Sequence, residues 1–354
     1  MTAPRLLVGT DALAGQLPAL LRQQGRNRIL LVAGGHFLRS PAGTELQHVL
    51  EGVINTIRET PEGLLQVDVA HRDAAALPEG IDGIIAIGGG RTIDYAKALL
   101  YYSTARTDFF AAVPTTAGSG SDATSFAVIY EGLQKHSLEH PALLPGVVVW
   151  DETLLQGLSA RQRAVSGLDA LVQCVESLWS RKATPASRAL AWEAGGWLRR
   201  HLPRFVAAPT SELGLGALYA AHYSGRAINT SRTTGAHALS YYLTAVHGIE
   251  HGHAVALLLP VFLQYNAEAQ EPDGFAAVLQ LLDAGSGAGA GAAARWQEYV
   301  SGLGLETTLS GLGLGADIVP DWLLHINNER FANNPVALEP ERLAALLRQT
   351  LFTS

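Results

Sequence analysis

The chain has 354 residues, 48% of them hydrophobic and 16% charged, and a formal net charge of −7. That length and apolar share suit two domains with sizeable cores, while the acidic balance speaks against a nucleic-acid partner, which needs Lys and Arg in surplus on one face. No apolar run approaches the roughly 20 residues of a membrane helix, and no basic stretch leads into an apolar segment at the start, so a soluble cytoplasmic protein is expected.

The first 150 or so residues alternate short β-branched runs with helical patterns, as parallel strands joined by helical crossovers do. Arg28–Val32 reads as a buried strand and runs into Ala33-Gly34-Gly35-His36, where no Asp or Glu stands to accept from a ribose 2′-hydroxyl. Gly83–Ile87 is a second strand, followed by Gly88-Gly89-Gly90-Arg91-Thr92-Ile93-Asp94-Tyr95-Ala96-Lys97, a glycine loop that opens a helix. Glycines there let backbone amides approach a pyrophosphate, and the helix start adds a favourable partial charge. Asp94 is placed to cap the first turn; a plain strand-to-helix turn reads the same way. Phe110–Val113 and Val147–Trp150 are two more strands, the second ending on Asp151. After the first of these, Pro114-Thr115-Thr116-Ala117-Gly118-Ser119-Gly120-Ser121-Asp122 carries hydroxyls and amides that suit either a nucleotide's ribose and phosphates or a Ser/Thr-rich surface turn.

Beyond this point long Ala/Leu/Arg segments at helical spacing take over, so residues 1–150 are expected to form an α/β domain and 151–354 a helical one. Leu168–Trp179 has an amphipathic pattern: Leu168, Leu171, Val172, Val175, Leu178 and Trp179 make the apolar face, with Asp169 and Gln173 together beside it. The lone cysteine, Cys174, excludes an intrachain disulfide, suits a reducing compartment and reads as a small buried hydrophobe. A His-rich segment runs from Thr234 through His237 and His247 to His251 and His253. His247 and His251 have HxxxH spacing, but Gly248 stands where a metalloprotease needs Glu, which removes that motif. The Gly/Ala tract Gly285–Ala294 and the stretch Gly302–Gly315 look like connecting loops, the Ala-rich end of the first being compatible with helix.

The two loops, in this order and separation, resemble the GGGSxxDxAK and PTTxGTGSE segments of the iron-containing (group III) alcohol dehydrogenases, which share a fold with dehydroquinate synthase. The resemblance continues through Asp151 and Gly167-Leu168-Asp169-Ala170-Leu171 to His251-Gly252. It implies a Rossmann-like nucleotide domain, an all-α metal-binding domain, catalysis in the cleft between them, and a homodimer. Gly88, Gly89, Gly90, Asp94, Thr115, Thr116, Ser119 and Lys135 then fall where the family holds its dinucleotide, with Arg91 in place of the usual Ser. NAD(P)H is the implied cofactor, and the missing carboxylate after Val32 favours NADPH or use of both forms. Asp169, His237 and His251 match the family's ligands for a divalent metal, Fe2+ or Zn2+. Gln173 stands where the family has a further ligand His, and its amide oxygen would be a weak ligand. Tyr241 replaces a His that the family keeps four residues after its first His ligand, so proton delivery falls to water, Tyr241 or His253. Ser159 is another departure, where the family often has Pro.

The segment Asn229-Thr230-Ser231-Arg232-Thr233-Thr234-Gly235-Ala236-His237 is similar to the phosphonoacetaldehyde reductase branch of that family, as is Lys135–Pro141. The implied reaction is reduction of a small anionic aldehyde, phosphonoacetaldehyde, to its alcohol, with Arg232 and Asn229 at the substrate. Arg232 can meet a phosphonate through paired charge-assisted hydrogen bonds, or pair with a carboxylate and brace the ligand loop. Competing readings are an oxidoreductase on another aldehyde, including a carboxylated one or a modified peptide in a natural-product pathway, a non-redox lyase or cyclase of the dehydroquinate synthase kind, and a metal-free binding protein.

Overall fold

A computed structural model describes residues 4–104, 107–268, 272–283 and 289–352. The chain divides into two compact units, Met1–Gly157 with Thr210–Leu218, and Leu158–Pro209 with Tyr219–Ser354.

The first unit is built on eight strands: β1 (Arg5–Val8), β2 (Ile29–Ala33), β3 (Ile54–Glu59), β4 (Gly83–Gly88), β5 (Phe110–Pro114), β6 (Phe126–Glu131), β7 (Gln134–Glu139) and β8 (Val147–Trp150). Six of them form a sheet in the order β1-β8-β5-β4-β2-β3, every pairing parallel. Strands β2, β4, β5 and β8 are buried along their whole length, as near-continuous Val/Ile/Ala runs must be when helices cover both faces. The edges differ. β3 alternates half-buried and exposed residues, and β1 buries only Leu7. The expected strands at 28–32, 83–87, 110–113 and 147–150 are thus present with ends shifted by at most a residue, the last not at all, and β1, β3 and the separate antiparallel hairpin β6–β7 are additional. Because β3 lies outside β2 while β4 lies on its other side, the connections reverse direction between β2 and β4. The carboxyl ends of that pair form the crevice where open α/β sheets take ligands.

The second unit is helical. The helix Ala160–Trp179 packs against Pro185–Ala207 and against His251–Tyr265. Ser159, the residue departing from Pro, is its N-cap and forms a reciprocal capping box with Gln162. From Gly167 to Trp179 every residue of this helix is buried. Its polar side chains therefore line an internal seam and do not border solvent, which the amphipathic reading had not anticipated. Cys174 is fully buried, and burial pushes its thiol up to about 12. Residues 285–288 of the Gly/Ala tract lie outside the described residues, and Gly289–Gly302 is helical. Among the described residues no helix is long and apolar enough to cross a membrane.

Candidate active site

In the first unit the glycine loop ends β4 and opens the helix Gly90–Tyr102, whose N-cap is Gly89. No side chain caps that first turn, which suits its leading amides to an anion. The second loop lies directly beside it: the Thr115 amide donates to the Gly88 carbonyl at 3.0 Å. A Cβ on Gly90 would press into the Ser119 side chain, 2.6 Å from its Cβ, so this close approach needs glycine. Gly89, Gly90, Thr115, Thr116 and Ser119 are half-buried, a level of access that fits ligand contact.

Asp94 does not cap the helix as expected, since it sits a full turn in from Gly90. Its carboxylate accepts from Ser121 Oγ and, at 3.0 Å, from the Val128 amide. Burial raises its pKa against the opposing charges of Lys97 and Lys135. Lys97 is fully buried, and its ammonium donates to Ser121 O, Ser121 Oγ, Thr124 Oγ1 and Phe126 O at 2.6–3.0 Å. Burial pulls it down to about 8. Asp94 and Lys97 thus tie the second loop to the first helix. Lys135 lies on β7 with Nζ 2.6 Å from Ser137 Oγ, and Arg91, exposed, donates to the Gly63 carbonyl at 3.1 Å. An acidic group does reach the end of β2, though from the neighbouring strand: Glu59 closes β3, its Oε1 lies 3.5 Å from Arg39 Nη1, and both side chains border Gly35.

In the second unit Asp169, His237 and His251 converge, each offering one ligand atom within 4.8 Å of the others. His237 Nε2 is 3.4 Å and His251 Nε2 3.8 Å from Asp169 Oδ1. Ligand atoms about 2.1 Å from a tetrahedral ion lie about 3.4 Å from one another, so one carboxylate and two imidazoles at this spacing fit a divalent cation. His251 opens its helix, and Gly252 lets that helix close on the Asp169 helix. A Cβ there would collide with the Val165 carbonyl and come within 3.1 Å of Asp169 Cβ.

Behind His237 stands Glu176, which sequence reasoning missed. Its Oε2 is 2.5 Å from His237 Nδ1. A carboxylate only accepts, so Nδ1 carries a hydrogen toward Glu176, and Nε2, which faces Asp169, is the nitrogen left to serve a metal once its own proton is displaced. Glu176 Oε1 accepts from Thr234 Oγ1 and from the Ala236 and His237 amides at 2.9, 2.9 and 3.3 Å. It therefore caps, from another helix, the helix Gly235–His247, whose own N-cap Thr234 makes no side-chain cap. Burial presses His237 down, but the charge of Glu176 and the hydrogen bonds to both carboxylates outweigh it and raise it to about 9. Burial pushes the Asp169 and Glu176 carboxyls up, yet their contacts with His237 hold both below the usual carboxylate range. The signal for Glu176 was its spacing: Asp169, Gln173 and Glu176 recur on one helix face.

Gln173 lies between Asp169 and Ser224. Its Oε1 accepts from Ser224 Oγ at 2.6 Å, and its Nε2 donates to Asp169 Oδ1 at 3.2 Å. The amide turns its hydrogens, not its oxygen, toward the cluster, because two acceptors facing each other would repel. Tyr241 stacks on His251 with centroids 5.8 Å apart and ring planes 11° from parallel. Burial above all pushes its hydroxyl up to about 12, against the charge of Arg330. His253 is fully buried, with Nε2 2.7 Å from the Glu306 carbonyl and Nδ1 3.4 Å from Arg161. Its ring thereby ties the Glu306 backbone to the helix His251–Tyr265. Arg232 and Asn229 are half-buried at and just before the C-terminal end of the helix Ser211–Ser231.

Comparison with known proteins agrees with these features. Residues 3–152 match the model of the iron-containing alcohol dehydrogenase domain, and residues 163–351 that of the Fe-containing alcohol dehydrogenase family, C-terminal. The chain belongs to the iron-containing alcohol dehydrogenase family. It is 33% identical to a phosphonoacetaldehyde reductase of Streptomyces viridochromogenes, covering 90% of this chain and 89% of that protein. The structure of maleylacetate reductase from Rhizobium sp. strain MTP-10005 superposes with a TM-score of 0.84 at 25% identity, over 99% of this chain and 97% of that one. In fold the chain also resembles sulfoacetaldehyde reductase from Bifidobacterium kashiwanohense in complex with NAD+, with a TM-score of 0.86 at 24% identity over 100% and 98% of the two chains. Membership makes the protein an enzyme of the alcohol dehydrogenase and aldehyde reductase type and implies a divalent metal and NAD(P).

Proposed function

We propose that this enzyme reduces a small anionic aldehyde with NAD(P)H, NADPH being favoured, and that phosphonoacetaldehyde, giving 2-hydroxyethylphosphonate, is its substrate. The observation that carries the metal-dependent chemistry is the convergence of His237 Nε2 and His251 Nε2 on Asp169 Oδ1 with Glu176 fixing the His237 tautomer. Those three residues would hold Fe2+ or Zn2+; Gly88, Gly89, Gly90, Thr115, Thr116 and Ser119 would hold the dinucleotide. When bound, the ion supplies Lewis acidity toward a carbonyl oxygen and the reduced nicotinamide supplies a hydride. The protein's part is positional. Glu176 keeps a hydrogen on His237 Nδ1, Tyr241 fixes the plane of the His251 ring, and Gln173 steers the Asp169 carboxylate.

The anionic preference rests on Arg232. It has a φ of +60°, one of two positive-φ positions outside glycine among the described residues. An L side chain takes that conformation at a cost of about 1–2 kcal/mol, and strain of this kind gathers where a side chain must be presented in a fixed way. The phosphonate, sulfonate and carboxylate groups implied by the names of the three relatives above are all suited to a guanidinium fork. The test is NADPH oxidation with phosphonoacetaldehyde and with acetaldehyde, alongside metal analysis. Arg232→Ala should lower the ratio of phosphonoacetaldehyde to acetaldehyde kcat/KM roughly ten- to a hundredfold. An equal fall on both aldehydes would make Arg232 a brace, and turnover without net change in NAD(P)H absorbance would indicate a lyase or cyclase.

A further inference from the structure

We infer that Asn333 is a positioning residue for Arg232: its buried side-chain amide clamps the peptide carbonyls on both sides of that arginine and imposes its left-handed backbone. The inference rests on the anion-reading role proposed for Arg232. The helix Ser211–Ser231 ends immediately before it, and the Arg232 amide donates back to the Ile228 carbonyl at 3.0 Å, closing the last turn. Glycine or asparagine is the usual occupant of such a position, and arginine takes it against its own preference.

What holds it there is a polar cluster with little access to water. Asn333 Nδ2 donates to the Ser231 carbonyl at 2.8 Å and to the Thr233 carbonyl at 3.0 Å, which spends both of its hydrogens on the carbonyls of the residues before and after Arg232. Its Oδ1 accepts from the Lys182 amide at 3.0 Å. With donors and acceptor each matched, the amide has only one workable orientation. Ser180 Oγ adds a second donor to the Ser231 carbonyl at 2.6 Å, and the Ser177 and Ser231 hydroxyls pair at 2.8 Å. Asn333 and Ser180 are each 3% exposed and Ser231 fully buried, so these groups have no easy substitute in solvent. Ser177 lies on the helix that carries Asp169 and Glu176, and Ser180 is its C-cap. The starting point of the Arg232 side chain is thereby referenced to the same element as the metal-ligand cluster. Without the clamp, Arg232 would relax toward right-handed or extended backbone, and its guanidinium would have to be ordered anew at each encounter with substrate.

The test compares full-length wild type, Asn333→Ala, Ser180→Ala, Arg232→Ala and the Asn333→Ala/Arg232→Ala double variant on phosphonoacetaldehyde and acetaldehyde. Ordering one rotamer-rich side chain at binding is worth a factor of about three to ten, so Asn333→Ala should lower the ratio of the two kcat/KM values by that much, chiefly through KM for the anionic aldehyde. Ser180→Ala should move the ratio in the same direction by less, and it carries the test if Asn333→Ala does not fold. In the Arg232→Ala background, Asn333→Ala should lower the ratio no further. Equal losses on both aldehydes, or an undiminished effect of Asn333→Ala in the absence of Arg232, would overturn the inference. A ratio sensitive to Arg232→Ala but not to either clamp variant rejects the clamp alone; a ratio insensitive to Arg232→Ala rejects the anion reading and the clamp together.

Discussion

The two site-bearing regions hold polar groups in opposite ways. At the carboxyl ends of β4 and β5, Gly89, Gly90, Thr115, Thr116 and Ser119 are half-buried and framed by backbone. Around His237, Glu176 is fully buried while Asp169, Gln173 and His237 are at most 6% exposed, and each polar atom leans on another. A loop of the first kind fails locally when altered, because water can replace most lost contacts. A buried network of the second kind couples stability to function, since each group left over after a deletion is stranded away from water. The substitution with the largest expected effect is therefore behind the ligands and not among them. Glu176→Ala strands His237 Nδ1, the Thr234 hydroxyl hydrogen and two helix-start amides. Breaking such a buried pair costs about 3–5 kcal/mol, to be read from urea unfolding, together with loss of bound metal. Stability within 1 kcal/mol or so of wild type would remove the contrast between the regions.

His251→Ala should separate the two properties. The ring is 35% exposed and its helix is otherwise anchored by a long apolar run, so unfolding should shift little. Metal content and turnover should collapse, kcat/KM falling at least about a hundredfold with the loss of the polarising ion, while binding of the dinucleotide, measured by fluorescence, stays near wild type. Full activity in a metal-free His251→Ala protein would sink the ligand assignment. Gln173→Leu should lie between. It removes the hydrogen bond to Asp169, yet the Ser224 hydroxyl keeps an alternative acceptor in the Ala170 carbonyl at 3.2 Å. Losses of this outer kind weaken metal binding by about ten- to a hundredfold, visible as faster stripping by a chelator; unchanged retention would count against any role at the metal.

How much of this was legible in the sequence follows the same division. Strands β2, β4, β5 and β8 announce themselves because burial on both faces demands unbroken apolar runs, whereas β1 and β3, half-wet at the edges, carry no such run. The glycine loop was readable as a motif; the use of Asp94 was not, because its partners Ser121 and Val128 come from elsewhere in the fold. Asp169, His237 and His251 could be gathered only by likeness to a family, since nothing local in the chain brings one helix start to another helix's middle. Asn333 had no signal at all: its partners Ser231 and Thr233 are remote in sequence, and an Asn in a loop has no pattern.

The smallest effect tests the first region at the end of β2. Sequence alone offered no carboxylate there, which pointed to NADPH; the fold brings Glu59 to that place from β3, with Arg39 alongside. A carboxylate accepts from a ribose 2′-hydroxyl and repels a 2′-phosphate, and a guanidinium does the reverse. Because both side chains are more than half exposed, at 55% and 73%, water and salt weaken each term. An exposed pair of this sort is worth about 0–1 kcal/mol, so the expected shift is about two- to fivefold. Glu59→Gln should tighten NADPH and loosen NADH by that factor, Arg39→Ala should do the opposite, and both should leave metal content and thermal unfolding unchanged. The readout is fluorescence titration of each reduced dinucleotide at low salt, where the contrast is greatest. If neither variant alters the ratio of the two dissociation constants, the pair lies away from the ribose, and cofactor choice rests on the loops at Gly88 and Thr115 alone.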